Sequence, residues 1–383
     1  MKVCVVTGSR ADFGLLKFTL RALKNEKGFK VTLVALGNHF SNSENSTYNE
    51  IAEEEILVEE KIFFPTIGDN ESGIATTISI SITECTNAFL KLKPDLIILL
   101  GDRHEIFGAA QAALICRIPV GHIHGGEITS NMLDDTFRHC ITKISSYHFV
   151  STEDSKNRVI QMGENPNRVF RVGGLGVDVI SKLQLIEKNE LSKILDVHLS
   201  EKNLLITLHP VTLEDSTAKT QVNELLGALD KLENVTLIFT SSNTDQGGQV
   251  INEEIRKFVV GRSHAYFFES LGQLRYLSLL KVMDGLIGNS SSGILEAPFL
   301  AVPTVNIGAR QSGRAKSRSI IDCAPTKDGI SRAIAQIYDP NFRKEIKEVG
   351  NLYGTPGASD RIVEILRKLE TPLSPIKTFF DLN

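Results

Sequence analysis

Gly288-Asn289-Ser290-Ser291-Ser292-Gly293 is a run of small polar residues between two apolar segments. The apolar pattern of residues 281–287 predicts a short buried strand, and residues 294–298 predict one or two turns of helix, which Pro298 limits. A strand, a loop of glycine and hydroxyl residues and then a helix form a layout that offers backbone N–H groups to an anion. An ordinary serine N-cap explains the same run. The choice between the two therefore depends on whether similar loops follow other strands.

Strand and helix patterns alternate throughout the chain. Continuous apolar segments, typical of strands buried on both faces, predict strands in the first half at residues 3–7, 31–36, 95–100, 119–123 and 147–150. Apolar residues at helical spacing predict helices between them at 15–25, 72–92, 105–116 and 134–145. In the second half, strands are predicted at 204–208, 235–240, 265–268, 282–287, 302–306 and 319–321, and the last helix at 360–370. This alternation predicts an α/β fold with doubly wound parallel sheets.

Three local features complete the predicted elements. Residues 8–14 follow the first strand and are predicted to form a turn, and Ser72 is predicted to be the N-cap of the second helix. The polar residues 38–50, rich in Asn and Ser, predict a mobile loop beside a site.

The length of 383 residues exceeds the usual size of a single hydrophobic core, and the glycine-rich residues 172–178 are the predicted domain boundary. We predict two Rossmann-like domains that face a central cleft. The predicted ranges are 1–172 for an N-terminal domain with acid–base residues, 173–365 for a C-terminal nucleotide-binding domain, and 366–383 for a tail that packs back on the N-terminal domain.

Composition argues against several classes of protein. The formal net charge is -4 without a basic tract, which disfavours nucleic acid and membrane surfaces as partners. Five widely spaced cysteines without a CxxC pair are typical of reduced residues in a cytoplasmic protein. No apolar run approaches the length of a membrane span, and the N-terminal run is too short for a signal peptide. We therefore expect a cytoplasmic protein.

Polar side chains follow many of the predicted strands, where ligands of open α/β sheets bind. They are Arg10, Asp12, Asp102, His124, Glu127, Asp134, His209 and Asn243. Taken singly, Asp102 and Asp134 could cap helices and His209 could be a turn residue. Carboxylates and imidazoles at successive strand ends are, however, what proton transfer in one site requires. A cluster of positive charge at residues 310–318 fits a small anionic ligand, although a solvated loop has the same composition.

Metal and dinucleotide sites are disfavoured. His122 and His124 are two residues apart, so they would share a face of a strand, and His104 could lie near them. No Cys cluster or HExxH spacing supports zinc. The residues after the first strand also depart from the GxGxxG fingerprint, which argues against NAD or FAD.

Six motifs, in chain order, together resemble those of the hydrolysing UDP-N-acetylglucosamine 2-epimerases. They are GSRADFG at 8–14, GDR at 101–103, HIHGGE at 122–127, DDTFRH at 134–139, HPVT at 209–212 and GNSSSG at 288–293. The resemblance covers nearly the whole chain and implies the two-domain glycosyltransferase-B fold. The non-hydrolysing relatives carry an alanine-glycine version of the third motif, so the hydrolysing branch, which serves sialic and legionaminic acid synthesis, is the closer one.

This resemblance implies a two-stage reaction that converts UDP-N-acetylglucosamine to N-acetylmannosamine and UDP without a metal or redox cofactor. Anti elimination of the nucleotide and loss of the C2 proton give a bound 2-acetamidoglycal, and hydration then releases UDP and a free N-acetylmannosamine-type sugar. The family also implies a homodimer or a dimer of dimers.

The resemblance assigns roles to individual residues. Asp102 and Asp134 match carboxylates implicated in acid–base work, Glu127 is expected in the same cleft, and His209 matches a histidine near the leaving group. Nucleotide-binding positions are matched by Arg10, Ser290, Ser291 and Glu296, diphosphate binding by Arg310, and phosphate or sugar contacts by Arg314 and Asn243.

One departure concerns His124, which stands where several family members have a glutamate. Imidazole can also act as an acid or base, so His124 is a candidate catalytic residue. The change could instead mark a branch that acts on UDP-2,4-diacetamido-2,4,6-trideoxyglucose rather than UDP-N-acetylglucosamine. A glycosyltransferase of the same fold and a silent nucleotide-sugar sensor are the alternative functions.

Overall fold

The computed structural model describes residues 1–40, 51–52, 56–64, 70–129, 133–211, 218–242, 247–348 and 352–382. The chain forms two compact units. Unit 1 is Met1–Glu127, Leu133–Val179 and Tyr353–Asn383, and unit 2 is Ile128–Met132 and Ile180–Leu352. Of the predicted mobile loop at 38–50, residues 41–50 lie outside the described residues.

Unit 1 is built on a sheet of parallel strands in the order β3-β2-β1-β4-β5-β6-β7. Its strands are β1 (Lys2–Thr7), β2 (Lys30–Leu36), β3 (Val58–Ile62), β4 (Leu96–Leu100), β5 (Val120–Ile123), β6 (Tyr147–Val150) and β7 (Val169–Arg171). Its helices are α1 (Arg10–Asn25), α2 (Glu71–Leu92), α3 (His104–Ile115), α4 (Leu133–Ile144), α5 (Glu153–Gln161), the start of α6 (Leu175–Lys182) and, far along the chain, α14 (Ala358–Lys368).

Unit 2 contains a second parallel sheet in the order β10-β9-β8-β11-β12-β13. Its strands are β8 (Lys202–Thr207), β9 (Val235–Thr240), β10 (Ala265–Phe268), β11 (Gly285–Gly288), β12 (Thr304–Ile307) and β13 (Ile320–Cys323). Its helices are α7 (Lys188–Leu195), α8 (Ala218–Leu229), α9 (Gly248–Val259), α10 (Gly272–Val282), α11 (Ser292–Leu295), α12 (Lys327–Ile337) and α13 (Pro340–Glu348).

Each sheet is covered by an apolar core on both faces, which explains why the strands are apolar without alternation. In unit 1, Val3 and Val5 belong to one buried cluster, whereas Cys4 and Val6 belong to another. Successive side chains of a strand point to opposite faces, so the two clusters lie on the two sides of the sheet. Unit 2 repeats the arrangement, because Leu204 and Leu205 belong to different clusters.

Both sheets have a point at which the strand order reverses. In unit 1, β1 pairs with β2 on one side and with β4 on the other. In unit 2, β8 pairs with β9 and with β11. Connections from the two middle strands of such a sheet diverge to opposite faces and leave a crevice at the carboxyl ends, where ligands of open α/β sheets bind. The loops after β1, β4, β8 and β11 are therefore the expected ligand-binding loops.

The structure corrects three local predictions. Residues 8–14 are mostly helical rather than a turn, because the Ser9 Oγ accepts a hydrogen bond from the Asp12 N–H and starts α1 at Arg10. The N-cap of α2 is Asn70 rather than Ser72, since the Asn70 Oδ1 accepts from the Gly73 N–H at 2.9 Å. Helix α10 extends to Val282, so the predicted strand at 282–287 is shifted to Gly285–Gly288.

The observed units divide the chain differently from the predicted domains. Unit 1 resumes at Tyr353, whereas the predicted C-terminal domain extended to residue 365, within the predicted last helix, and only residues 366–383 were expected to pack on the N-terminal domain. Helix α14 belongs to the core of unit 1 through Ile362 and Leu366. The buried Asp178 caps it, since its two carboxylate oxygens accept from the N–H groups of Gly357 at 2.7 Å and Ser359 at 3.0 Å. A buried charge is stabilised only by such bonds, so this cap fixes α14 within unit 1.

The chain beyond α14 continues along unit 1 in irregular conformation. The Lys377 Nζ donates to the Ser145 carbonyl and to both carboxylate oxygens of Glu164, each at 2.8 Å. Glu164 also accepts from the Lys143 Nζ at 2.9 Å and from the His148 Nε2 at 3.1 Å. We refer to these four side chains as the Glu164 cluster. It ties the C-terminal residues to the edge of unit 1 near β6.

Candidate active site

Two carboxylates and an arginine lie just after β1 and β4, the two strands at the reversal point of unit 1. They are Asp12, Glu105 and Arg103. Glu105, in the first turn of α3, is 1% exposed and accepts from the Arg103 Nε at 2.6 Å. A side chain at Gly8 would begin 2.7 Å from the Glu105 carboxylate. The glycine after β1 therefore allows the two loops to meet, which brings the first and second motifs together.

Asp12 belongs to the same cluster. Its Oδ2 is shielded from solvent and has no hydrogen-bond partner among the described residues. Burial raises the pKa of Asp12 to about 7; Arg103 opposes the shift, and Glu105 and Asp102 add to it. The Asp12 carboxyl therefore titrates near neutrality. Asp12 follows a predicted strand, but no role was predicted for it. Its raised pKa depends on burial and on neighbouring charges, and these cannot be read from the sequence.

Asp102 is held by a buried arginine from a different element. Arg138 of α4 donates through Nη2 to the Asp102 Oδ2 and, at 3.0 Å each, through Nη1 to the Asp135 Oδ1 and the Glu127 carbonyl. Burial lowers the pKa of Arg138, but the charges of Asp102, Glu127 and Asp135 outweigh it, and the net pKa is raised. The guanidinium thus stays charged and fixes the loop after β4 against the start of α4.

Asp134, the other predicted acid–base carboxylate, lies in the first turn of α4. Its charge raises the pKa of Arg103, with a smaller effect than Glu105 and Asp12. Unit 1 therefore gathers Asp12, Asp102, Glu105 and Asp134 around Arg103 and Arg138. Arg10, predicted to bind nucleotide, is the first residue of α1 in this unit.

His124 and Glu127 form a separate pair after β5. The backbone of His124 is left-handed, with φ of 64°, and its Nε2 accepts from the Leu175 N–H at 3.1 Å. The Nδ1 lies 3.7 Å from the Glu127 Oε1, which accepts from the Ser151 Oγ at 2.8 Å. The expectation that His122 and His124 share a strand face is wrong, because β5 ends at Ile123. His122 instead contacts Gly101 and Thr142.

In unit 2, Asn289 joins the loops after β8 and β11. Its side chain accepts from the His209 N–H at 2.7 Å and donates to the His209 carbonyl at 2.8 Å. The Asn289 carbonyl in turn accepts from the Arg310 Nη1 at 3.2 Å and from the Gln311 Nε2 at 2.9 Å. One buried residue therefore assembles His209, the serine loop at 290–292 and Arg310.

The serine loop depends on the glycine before it. Gly288 has φ of 140°, and a side chain there would lie 1.8 Å from the Thr207 carbonyl of the neighbouring strand. The loop then continues to α11, with the Ser292 N–H donating to the Ser290 Oγ at 3.3 Å. Ser290 and Ser291 are partly exposed, so their hydroxyls can reach a ligand.

A tyrosine that the sequence analysis did not consider lies beneath this loop. Burial raises the pKa of Tyr276, in α10, to about 12; Ser292, Thr207 and Ser290 oppose the shift, and the charge of Glu296 adds to it. The buried hydroxyl oxygen has no hydrogen-bond partner among the described residues. Tyr276 therefore stays protonated and can donate a hydrogen bond. No motif in its own segment indicates this role, because it reaches the loop from a separate helix.

The electrostatics of unit 2 favour an anion. Burial, followed by the charge of Arg310, lowers the pKa of His209 to about 3, so its imidazole is neutral near pH 7. Arg314 lies in the connection between β12 and β13, and Glu296 ends α11. The predicted contact Asn243 lies outside the described residues. Hydroxyls, a neutral imidazole and arginine at a strand-order reversal can bind a phosphate group.

The chain is similar to known proteins over its whole length. A family model described as UDP-N-acetylglucosamine 2-epimerase matches residues 21–367. The chain belongs to the UDP-N-acetylglucosamine 2-epimerase family. Among its relatives, the GDP/UDP-N,N'-diacetylbacillosamine 2-epimerase (hydrolyzing) of Campylobacter jejuni is 37% identical and is aligned over 100% of this chain and 99% of that one. The UDP-N,N'-diacetylbacillosamine 2-epimerase (hydrolyzing) of Legionella pneumophila is 32% identical, with 96% of each chain covered.

Solved structures of the epimerase family share the fold. The UDP-GlcNAc 2-epimerase of Neisseria meningitidis, solved with UDP-GlcNAc, superposes with a TM-score of 0.83 at 20% identity, covering 96% of this chain and 100% of that one. The two parallel α/β sheets and this likeness confirm the predicted fold class, the glycosyltransferase-B type. Within the described residues, no helix has the length and apolar character needed to cross a membrane.

Proposed function

We propose that the chain is a hydrolysing 2-epimerase of a UDP-linked 2-acetamido sugar. The proposal rests on one observation: each unit has its own polar cluster at the strand-order reversal of its sheet, and the two clusters differ in chemistry. Unit 1 supplies carboxylates around Arg103 and Arg138, and unit 2 supplies the serine loop with His209 and Arg310. Family membership gives the class of reaction, and the two clusters match its two tasks.

Unit 2 is proposed to bind the nucleotide. Ser290, Ser291 and Arg310 donate to the diphosphate and neutralise its charge, which makes it a better leaving group. Glu296 accepts from ribose hydroxyls. The remaining proposed contacts are Arg314 and Asn243 of unit 2, together with Arg10, which lies at the start of α1 in unit 1. Because Asn289 holds the loop and His209 together, the neutral imidazole can donate to a diphosphate oxygen as the bond to the sugar breaks.

Unit 1 is proposed to move the protons. In the first step a base removes the proton from C2, the C1–C2 double bond forms, and the C1–O bond breaks with its electron pair leaving on UDP. In the second step water adds its oxygen to C1 while C2 is protonated from the opposite face, which inverts that centre. Asp102, Asp134 and Glu127 are the proposed acids and bases. The Asp12 carboxyl, with its pKa of about 7, is a further proton carrier near Asp102.

The catalytic role predicted for His124 stays a prediction, and its geometry favours the carboxylates for the C2 proton. The Nε2 lone pair of His124 accepts from the Leu175 N–H, so that nitrogen can take a proton only after this bond breaks. The Nδ1 faces Glu127, which accepts from Ser151. We therefore propose that His124 acts on Glu127 rather than directly on the sugar.

The proposed substrate is UDP-2,4-diacetamido-2,4,6-trideoxyglucose, ahead of UDP-N-acetylglucosamine. Both relatives described above carry the name of the N,N'-diacetylbacillosamine nucleotide, which has this sugar skeleton. The product would be a free 2,4-diacetamido sugar of the manno configuration, a precursor suited to legionaminic acid synthesis.

Product analysis with both sugar nucleotides, each supplied separately without an acceptor, tests the function. We expect UDP and a free 2-epimerised sugar, with faster turnover of the diacetamido substrate. In deuterium oxide the product should carry deuterium at C2. Retention of the original hydrogen at C2 would exclude elimination, and UDP release only in the presence of an acceptor would identify a glycosyltransferase. Tight binding of both sugar nucleotides without turnover would indicate that the protein is a nucleotide-sugar sensor and not an enzyme.

A further inference from the structure

We propose that His122 is a positioning residue for Asp102. Its imidazole connects the peptide carbonyl just before Asp102 to helix α4, through the hydroxyl of Thr142. The inference rests on the proposed function, in which Asp102 takes part in acid–base catalysis.

The hydrogen bonds of His122 determine its tautomer. The Nε2 lies 2.8 Å from the Gly101 carbonyl oxygen, which can only accept, so Nε2 carries the proton. The Nδ1 is then an acceptor, and it lies 3.1 Å from the Thr142 Oγ1, which therefore donates. All polar positions of the ring are used by the protein. His122 itself is completely buried, so it acts through its neighbours rather than by contact with a ligand.

Helix α4 thereby holds the Gly101–Asp102 segment at two points. The side chain of Asp102 is bound by Arg138, and the backbone before it is bound through His122 by Thr142, one turn further along the same helix. Gly101 has φ of 75°, a conformation that glycine adopts without strain. Two attachments on one rigid helix fix the carboxylate relative to Asp134, which α4 also carries.

The backbone of Gly125 packs closely against the contact between His122 and Thr142. A side chain at Gly125 would begin 2.8 Å from both the His122 Nδ1 and the Thr142 Oγ1. Burial, opposed by the bond to Gly101 and reinforced by His148 and Arg138, lowers the pKa of His122 to about 3. The imidazole is therefore neutral under assay conditions and keeps the same tautomer. This explains the first histidine and the first glycine of the HIHGGE motif, which the proposed mechanism does not use.

Thr142→Val and Thr142→Ser form the matched pair that tests the proposal. Valine keeps the volume of the buried threonine but cannot donate to the His122 Nδ1, whereas serine keeps the hydroxyl. We expect Thr142→Val to lower kcat by about 10- to 100-fold, because small displacements of a catalytic group are costly, with KM and UDP affinity near wild type. Thr142→Ser should restore most of the activity. Equal kcat in the two variants would overturn the proposal.

A double variant separates positioning from general loosening of the fold. If Thr142 acts through Asp102, adding Thr142→Val to Asp102→Asn should cause no further loss of kcat. A full additive loss would contradict the proposal.

Hydrogen exchange distinguishes failure of this inference from failure of the proposed function. Thr142→Val should increase amide exchange in the segment 101–105, and Thr142→Ser should not. That comparison does not require turnover. A protein that releases no UDP refutes the proposed function alone, whereas unchanged exchange in Thr142→Val refutes the link between His122 and the Asp102 segment.

Discussion

In both units, the polar cluster is held together mainly by one side chain that forms hydrogen bonds to the backbone of another loop. Contacts between the predicted catalytic groups contribute less. Asn289 binds both the N–H and the carbonyl of His209, and Arg138 binds the Glu127 carbonyl in addition to two aspartates. Such residues were present in the quoted motifs, yet they received no role from the sequence. Their partners lie up to 80 residues away, so only the fold reveals the bonds.

Asp102→Asn should reduce kcat by about 100- to 10,000-fold, because an amide can neither accept nor return the proton that a general acid–base residue transfers. Nucleotide affinity should stay close to wild type, since the proposed nucleotide contacts, apart from Arg10, are in unit 2. Steady-state kinetics and UDP titration measure the two quantities. Asp95→Asn is the control, because Asp95 lies at the opposite end of β4 and accepts from the Lys2 N–H. Normal turnover of Asp102→Asn would remove Asp102 from the mechanism.

Asn289→Ala should weaken UDP binding by about tenfold or more, since it removes two buried hydrogen bonds that fix His209 beside the serine loop. Asn203→Ala is matched to it. Asn203 is equally buried in the same unit and donates to the Ser200 carbonyl at 2.9 Å, but it lies at the amino end of β8. Both variants should lose stability, and only the first should lose UDP affinity by calorimetry. Equal UDP affinities of the two variants would show that the Asn289–His209 hydrogen bonds do not contribute to nucleotide binding.

Among the elements, the buried strands were predicted best, whereas the edge strands β3 and β7 were not predicted. Residues 147–150 and 235–240 are strands with the predicted bounds, because strands buried on both faces need unbroken apolar runs. The edge strand 265–268 also has the predicted bounds, although only Ala265 in it is buried. The starts of α1 and α2 differ from prediction because Ser9 and Asn70 cap them, and the choice among nearby capping residues depends on backbone geometry. The left-handed His124 could not be predicted, since its partner Leu175 lies 51 residues away.

Ion pairs of the Glu164 cluster contribute to the attachment of the irregular C-terminal segment, which makes this attachment sensitive to acid. Burial raises the pKa of Glu164, but hydrogen bonds from His148, Lys377 and Lys143 outweigh burial and leave the pKa at about 2. A carboxyl with a depressed pKa stabilises the fold above its ordinary value of 4.5. This stabilisation is lost as the pH falls from that value toward 2.

Lys377→Met should therefore lower the melting temperature at pH 7 and narrow the difference between melting at pH 7 and at pH 3. We expect the free energy of unfolding at pH 7 to fall by about 1–3 kcal/mol. The cost of burying Lys377 and His148 offsets part of the stabilisation that their bonds to Glu164 provide. Lys368→Met is the control, because Lys368 forms an exposed pair with Glu364 at 2.6 Å and such pairs contribute little. Identical melting of the two variants across this pH range would contradict a stabilising Glu164 cluster.

On the scale of the whole molecule, the fold class and the family were predicted from motifs and are confirmed. The roles of the site residues stay predictions. Both reversal points carry polar loops, as the rule for open sheets requires. The return of the chain to unit 1 was predicted only for residues 366–383, whereas residues 353–365 were assigned to the C-terminal domain. A helix with one apolar face, such as α14, can pack on either sheet, and nothing local distinguishes them.

Truncation after Leu352 should prevent unit 1 from folding, because its core then lacks Ile362, Val363 and Leu366, and Asp178 is left buried without the N–H groups that it accepts from. Truncation after Leu369 removes only the segment bound to the Glu164 cluster and should leave both units folded, with reduced stability. Limited proteolysis and hydrogen exchange of the β1–β4 region compare the two. Native protection of that region without α14 would show that unit 1 is complete without it.

The return of the chain to unit 1 also sets an order of events during synthesis. Residues 180–352, which make up nearly all of unit 2, leave the ribosome before α14 does. Translation proceeds at roughly 5–20 residues per second, so the nascent first unit waits many seconds with the apolar side of α1 uncovered. The second unit can fold first, and the first unit completes its core only when the last helix has been released.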